Sequence, residues 1–237
     1  MSGCALAGCG TLFGLQELPD AAPSIITPAQ EILAQSQNYG IGPPLVIPVQ
    51  RTRPGNTLYL VIAIKTGSRH IASVTDNGGN GWLRVLDGPE SPLTTGSLRL
   101  EMWSSTRTVE TDQITIAFVP DVDYRPMAVN FTEWTGELIV IGAHAAPAAT
   151  APAEIVTTTP LAINEAALAI AGIGMSSNVT AATLMTEGFR PLQMFVGNAS
   201  ISGAAAYSQV EAGTYDVSWQ LSSPQVWSAG IVALRRL

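Results

Sequence analysis

Charge is scarce in this chain. Only 12% of its 237 residues are Asp, Glu, Lys or Arg, where a typical globular domain carries about 25%. A surface built from so little charge is neutral and Ser/Thr/Ala-rich, or is covered by neighbours, and this favours a chain that lives in an assembly. Lysine is nearly missing: Lys65 stands alone beside ten arginines, and the net charge is −7. With no basic stripe to hold phosphates, the composition argues against direct nucleic-acid binding and against adsorption to anionic membranes. Long hydrophobic runs are also missing. The best, Ala166 to Met175, is far short of the ~20 residues that a helical span requires.

Cysteine and histidine are equally sparse. Cys4 and Cys9 both fall in the first ten residues and cannot staple the body of the chain. The run Leu6-Ala7-Gly8-Cys9 is like a lipoprotein cleavage site but has no room ahead of it for a basic region and an apolar region. The two histidines, His70 and His144, read as ordinary loop residues. With four His/Cys side chains scattered over tail and loops, a His/Cys metal centre is not expected. A Gly-x-Ser-x-Gly elbow is absent, so a nucleophilic triad is not expected either.

What is present is strand pattern, written twice. Val109-Glu-Thr-Asp-Gln-Ile-Thr-Ile-Ala-Phe118 and Val210-Glu-Ala-Gly-Thr-Tyr-Asp-Val-Ser-Trp219 read as one strand-leading motif repeated. In the first half, strands are expected at Leu58–Ile64, Ile71–Thr75, Trp82–Leu86, Leu98–Trp103, Ile114–Phe118 and Met127–Trp134. In the second they are expected at Ala166–Ile173, Ala181–Met185, Leu192–Val196, Ile201–Tyr207, Tyr215–Leu221 and Val226–Leu234. Short strands with Gly/Pro turns predict an all-β fold: a jelly-roll-like β-sandwich of two similar halves, each supplying strands to both layers. The sandwich is placed at 46–237, with halves at about 46–142 and 154–237 and an extended Ala/Pro bridge between them.

Residues 1–45 differ in character and read as an extended docking arm with one short helix. Thr27 would cap that helix, Pro28 suits its first position, Gln30 completes the box, and Gly40 would end it. The arm's candidate assembly residues are Cys4, Cys9, Leu12, Phe13, Ile32 and Leu33.

Gly55-Asn56-Thr57-Leu58 opening a buried strand, then Ser73-Val-Thr-Asp-Asn-Gly-Gly-Asn-Gly-Trp82, then Glu133-Trp134-Thr135-Gly136, resembles a β-sandwich module of phage tail-fibre and virion surface proteins and of bacterial extracellular proteins. The resemblance covers about residues 51–237 and rests on turn and core patterns. Gly-Asn-Gly-Trp stands here in place of the commoner Gly-Asn-Thr-Trp form. The resemblance implies a surface or virion structural role and brings no catalytic residue with it.

The candidate chemistry is thin. Asp76, Asn77 and Asn80, with Asp121 and Asp123, are oxygen-rich loops of the sort that hold calcium. A tight turn needs the same Asp-Asn-Gly-Gly-Asn residues and is the preferred reading. Among Glu101, Glu110, Asp112 and Glu133, the last is the first to test as a glycosidase carboxylate. Trp82, Trp103, Trp134, Trp219 and Trp227 are mostly core. Asp76, Asn80, Trp82 and Trp134 remain the candidates for facing a ligand such as a host surface glycan. The expectation is a non-enzymatic, cofactor-free bacteriophage virion protein: a tail or head fibre or capsid decoration subunit. It would bind other virion proteins through its arm and assemble as a homo-oligomer, as a trimer if a fibre. The competing reading is an extracellular carbohydrate-binding or adhesion module.

Overall fold

The computed structural model describes residues 26–36, 44–66, 70–93, 96–118, 126–176, 179–196 and 201–237. Cys4, Cys9, Leu12 and Phe13, the Asp121/Asp123 loop and Gly40 lie outside the described residues. Nine strands make the first half: β1 (Pro28–Ser36), β2 (Leu45–Pro48), β3 (Thr57–Thr66), β4 (Ile71–Asp76), β5 (Leu83–Asp87), β6 (Ser91–Leu93), β7 (Gly96–Ser105), β8 (Gln113–Phe118) and β9 (Met127–Trp134). The second half opens with β10 (Leu138–Ala145), β11 (Ala153–Thr157), β12 (Leu161–Ile163), β13 (Ala167–Met175), β14 (Ala182–Leu184) and β15 (Arg190–Pro191). It closes with β16 (Phe195–Val196), β17 (Ser202–Val210), β18 (Gly213–Tyr215), β19 (Ser218–Gln225) and β20 (Trp227–Arg236). No helix occurs among the described residues.

The strand order is the same in both halves. In the first, a large antiparallel sheet runs β1-β9-β3-β7-β5 and a small one runs β2-β8-β4. In the second, the large sheet runs β10-β20-β13-β17-β15 and the small one β11-β19-β14. The repeated sequence motif leads in each case toward the middle strand of the small sheet, β8 or β19. The Ala/Pro stretch after Ala145 is an irregular connection, as expected, yet the halves divide elsewhere. β10 pairs with β20 and so belongs to the second half, and only residues 135–137 separate β9 from β10.

Two expectations need correction. Pro28–Ser36 is not a helix but the edge strand β1, paired along its length with β9 from Pro28↔Trp134 to Ser36↔Met127. The capping signals at Thr27 and Pro28 are local, and a helix this short is marginal alone, so ladder pairing with a buried strand wins. Ile32 and Leu33 therefore point to opposite faces. Ile32 packs on the first half's core, while Leu33 is 36% exposed. Nor do the halves share two layers; each builds its own pair.

Four layers result, with three apolar cores between them. One core, including Ile47, Leu60, Ile62, Ile116 and Phe131, fills the space between the first half's sheets. A second, including Ala169, Ile173, Val217, Trp219 and Ile231, does the same in the second half. The third joins the large sheets face to face through Tyr59, Val61, Met102, Trp134, Leu168, Ile170 and Val232. This explains the apolar runs: Leu58–Ile64 of β3 and all of β13 are buried at every position because each faces a core on both sides.

The central seam is closest where it carries glycine. A methyl at Gly172 would lie 2.7 Å from Val61 Cγ1, and one at Gly230 would lie 2.5 Å from Leu86 Cδ1. Across this seam β3 faces β13, β9 faces β17 and β7 faces β20, while β3 also meets β17 and β7 meets β13. Exchanging each strand for its counterpart maps these five contacts onto one another, an approximate local twofold between β3 and β13, from which the contacts of β5 with β10 and β20 depart.

A candidate polar site on the open shelf of the first half

The first half's large sheet is wider than the small sheet that covers it. β7 and β5 therefore extend past β4 and leave a half-open shelf at the sandwich edge. On β7 the period of two sends Leu98, Leu100 and Met102 to the seam and Arg99, Glu101 and Trp103 to the shelf. β5 adds Arg84 opposite Trp103 and Asp87 opposite Glu101. His70, just before β4, closes the group from above.

Its floor is buried and its rim is open. Glu101 is fully buried, and the Arg99 side chain is 9% exposed, whereas those of Asp87 and His70 are 38% and 44% exposed. Arg99 donates Nη1 to Asp87 Oδ1 at 2.6 Å and Nη2 to Glu90 Oε1 at 3.1 Å. Its Nη1 also donates to His70 Nδ1 at 2.6 Å. Glu101 Oε2 accepts the Trp103 Nε1–H at 3.0 Å. Among the described residues its Oε1 has no donor nearer than the Ile71 N–H at 3.4 Å. Burial pushes the Glu101 carboxyl above its usual range, against the pull of Trp103, Arg84 and the Ile71 amide.

Arg84 sits across the mouth with its guanidinium 5.9 Å from the Trp103 ring. It is 3.3 Å from His70 Nδ1, 3.4 Å from Asp87 Oδ2 and 3.7 Å from Glu101 Oε1. His70, Asp87 and Glu101 thus offer one nitrogen and two oxygens within 4.8 Å of one another. Among the described residues the second half has no such cluster: the core-facing residues of β17 include Ala204 and Ala206, in contact with the apolar core. The scaffold therefore does not require charge at this place.

The other expected positions have structural work. Glu133 is buried and accepts from Gln30 Nε2 at 2.7 Å, the Arg53 N–H at 2.7 Å and Asn56 Nδ2 at 2.6 Å. It ties β1 and the loop before β3 to β9 and is closed to a substrate, which corrects its candidacy as a hydrolytic carboxylate. Trp134, offered as ligand-facing, is fully buried in the seam, edge-on to Tyr207 at 5.0 Å. Its indole fills space between two sheets, and its Nε1–H is spent on Thr132. Asp76 Oδ1 accepts the Asn80 N–H and Oδ2 accepts the Trp82 Nε1–H at 2.7 Å. Asn80 exchanges hydrogen bonds with Val109, and Asn77 reaches Asp112. These are the contacts of a turn braced on its neighbour, with Gly79 at φ +76°. Trp82 is half-buried against the first core. His144 lies on β10 and donates Nδ1–H to the Pro160 carbonyl.

The shelf is not legible in the sequence because His70 and Glu101 meet only through the fold. The available signal was Arg99 and Glu101 alternating with Leu98, Leu100 and Met102 on one strand. No protein-family model matches this chain, and the comparisons with curated proteins and with solved structures return no match either.

Proposed function

We propose that this chain is a structural subunit of a bacteriophage virion, a fibre or decoration component whose body is a rigid double sandwich and whose leading segment attaches it. In the same reading each half is a jelly roll whose fifth strand has moved to the edge of the large sheet. One observation carries the proposal: the body is filled by three stacked cores, and Glu133, the carboxylate first in line for a hydrolytic test, is locked by three donors. Low charge and the module resemblance support it.

The attachment role narrows to residues 1–25, because Ile26 is 8% exposed within the seam core and β1 belongs to the sandwich. Two truncations test this. Removal of residues 1–25 leaves a cooperatively unfolding body that no longer joins oligomers or particles, read by light scattering and co-sedimentation. Removal of residues 1–45 also strips β1 and exposes β9, so that product aggregates. Normal assembly of the shorter truncation, or turnover of a polysaccharide by the full chain, refutes the proposal.

A further inference from the structure

We propose that His70, Asp87 and Glu101 form a binding site for a divalent transition-metal ion of the zinc class, with Arg84 as the side chain it displaces. The donor set comes first. An imidazole nitrogen and two carboxylate oxygens suit zinc-like ions better than calcium, which takes oxygen alone. The three atoms converge, with His70 Nδ1 3.9 Å from both Asp87 Oδ2 and Glu101 Oε1. Ligands at ~2.0–2.2 Å from a shared ion lie within such a separation.

A second, independent observation is the state of Glu101. Its carboxylate is wholly buried and aimed into the cluster, yet among the described residues the nearest donor to Oε1 is the Ile71 amide at a long 3.4 Å. Arg84 fills the gap poorly, reaching the three acceptors at 3.3 to 3.7 Å. A planar guanidinium on a long stem cannot approach three converging acceptors as a compact ion can.

Charge supports the exchange. Asp87, Glu90 and Glu101 face the guanidiniums of Arg84 and Arg99, so the group around the opening is acidic. An ion of charge two in place of Arg84 brings one more positive charge to these carboxylates. Arg84 can leave because it sits on an edge strand with its side chain 34% exposed. Arg99 would release His70 Nδ1 and keep Asp87 Oδ1 and Glu90, orienting the carboxylate from behind. The site lies between β4, β5 and β7, so an ion there would clamp the shelf edge of the first half, where the second half carries alanine.

The experiment is calorimetric titration of the chelator-treated full-length chain with Zn²⁺, Mn²⁺ and Ca²⁺. Cys4→Ser and Cys9→Ser are present throughout so that the N-terminal thiols do not compete. One Zn²⁺ binds per chain, more tightly than Ca²⁺, and raises the unfolding temperature. His70→Ala and Asp87→Asn each weaken Zn²⁺ by more than the ~10- to 100-fold seen for loss of an outer partner. Glu101→Gln does the same where it folds, and rim residue Asp87 decides the matter where it does not. Arg84→Gln tightens binding by about tenfold, the equivalent of 1.4 kcal/mol, because the competing cation is gone. No Zn²⁺ binding overturns the proposal, as does binding indifferent to His70 and Asp87. Weaker binding in Arg84→Gln overturns the exchange and leaves Arg84 as the cluster's permanent counter-ion.

Discussion

Replacing Gly172 with alanine tests the central seam more sharply than any larger change. The added methyl would sit 2.7 Å from Val61 Cγ1 and 3.0 Å from Met102 Cε, against an optimal carbon–carbon separation of about 3.5–4.0 Å. Met102 can bend away, but Val61 is β-branched and stiff at χ1, so strand β3 itself must give. Overpacking of this kind costs about 1–3 kcal/mol, and relief of glycine's strand penalty returns about 0.5–1 kcal/mol. The net expectation is a loss of about 1–2 kcal/mol, within the range of those two terms. Gly230→Ala makes the shorter clash, 2.5 Å, yet strikes the end of the Leu86 side chain on edge strand β5, with the His144 carbonyl farther off at 3.3 Å. That side chain can rotate, so Gly230→Ala costs less than Gly172→Ala despite the shorter distance. Urea unfolding followed by tryptophan fluorescence gives both values, with Trp134 in the seam as reporter. Adding Val61→Ala closes a double-mutant cycle: alone it costs about 2 kcal/mol, and combined with Gly172→Ala it recovers about 1 kcal/mol. A Gly172→Ala protein as stable as the wild type, or strictly additive with Val61→Ala, would show that the large sheets do not meet at this spacing.

Three further outcomes follow from buried polar groups. Glu133→Ala orphans three donors and costs about 3–5 kcal/mol, with early proteolysis at β1, whereas Gln30→Ala costs about 1 kcal/mol by urea unfolding. Tyr59 is fully buried with its hydroxyl on Met102 Sδ at 3.2 Å, so Tyr59→Phe is neutral or stabilising in thermal unfolding at pH 7. Burial also raises the Tyr59 phenol well above its ordinary value, so wild-type stability falls as pH rises past the unfolded value of about 10, and Tyr59→Phe removes that loss. For Glu101 the raised carboxyl means that the folded state holds its proton more tightly than the unfolded one. Its contribution is present below the unfolded value of about 4.3 and is lost as pH climbs through the folded value. In chelator, Glu101→Gln therefore gains on the wild type as pH is raised from 4 toward 7, measured by unfolding temperature. An unchanged difference across that range contradicts the burial of Glu101.

Much of the strand pattern was legible because period-two alternation and apolar runs are local signals. Ile71–Thr75 and Ile114–Phe118 fall inside β4 and β8, and Met127–Trp134 is β9. The β1 strand is hidden in the sequence because the residues that speak for a helix, Thr27 to Gln30, sit beside each other, while the β9 partners that decide the matter lie about a hundred residues away. The four-layer stack was half legible. A run such as Leu58–Ile64 announces burial on both faces, but nothing in it says that the second cover is the other half of the same chain. The shelf was least legible, since Glu101 and His70 become neighbours only once β7 is laid beside β5 and under β4.

The three-residue connection at 135–137 changes what substitution can do to this molecule. In a symmetric pair of identical chains, every altered residue is imposed on both partners at once, including wherever it is unwelcome. Joined end to end, the two units hold each other at a fixed high local concentration while their sequences drift apart. Arg99 and Glu101 could then arise in one unit while alanine stayed in the other, and an otherwise twofold object gained a front and a back.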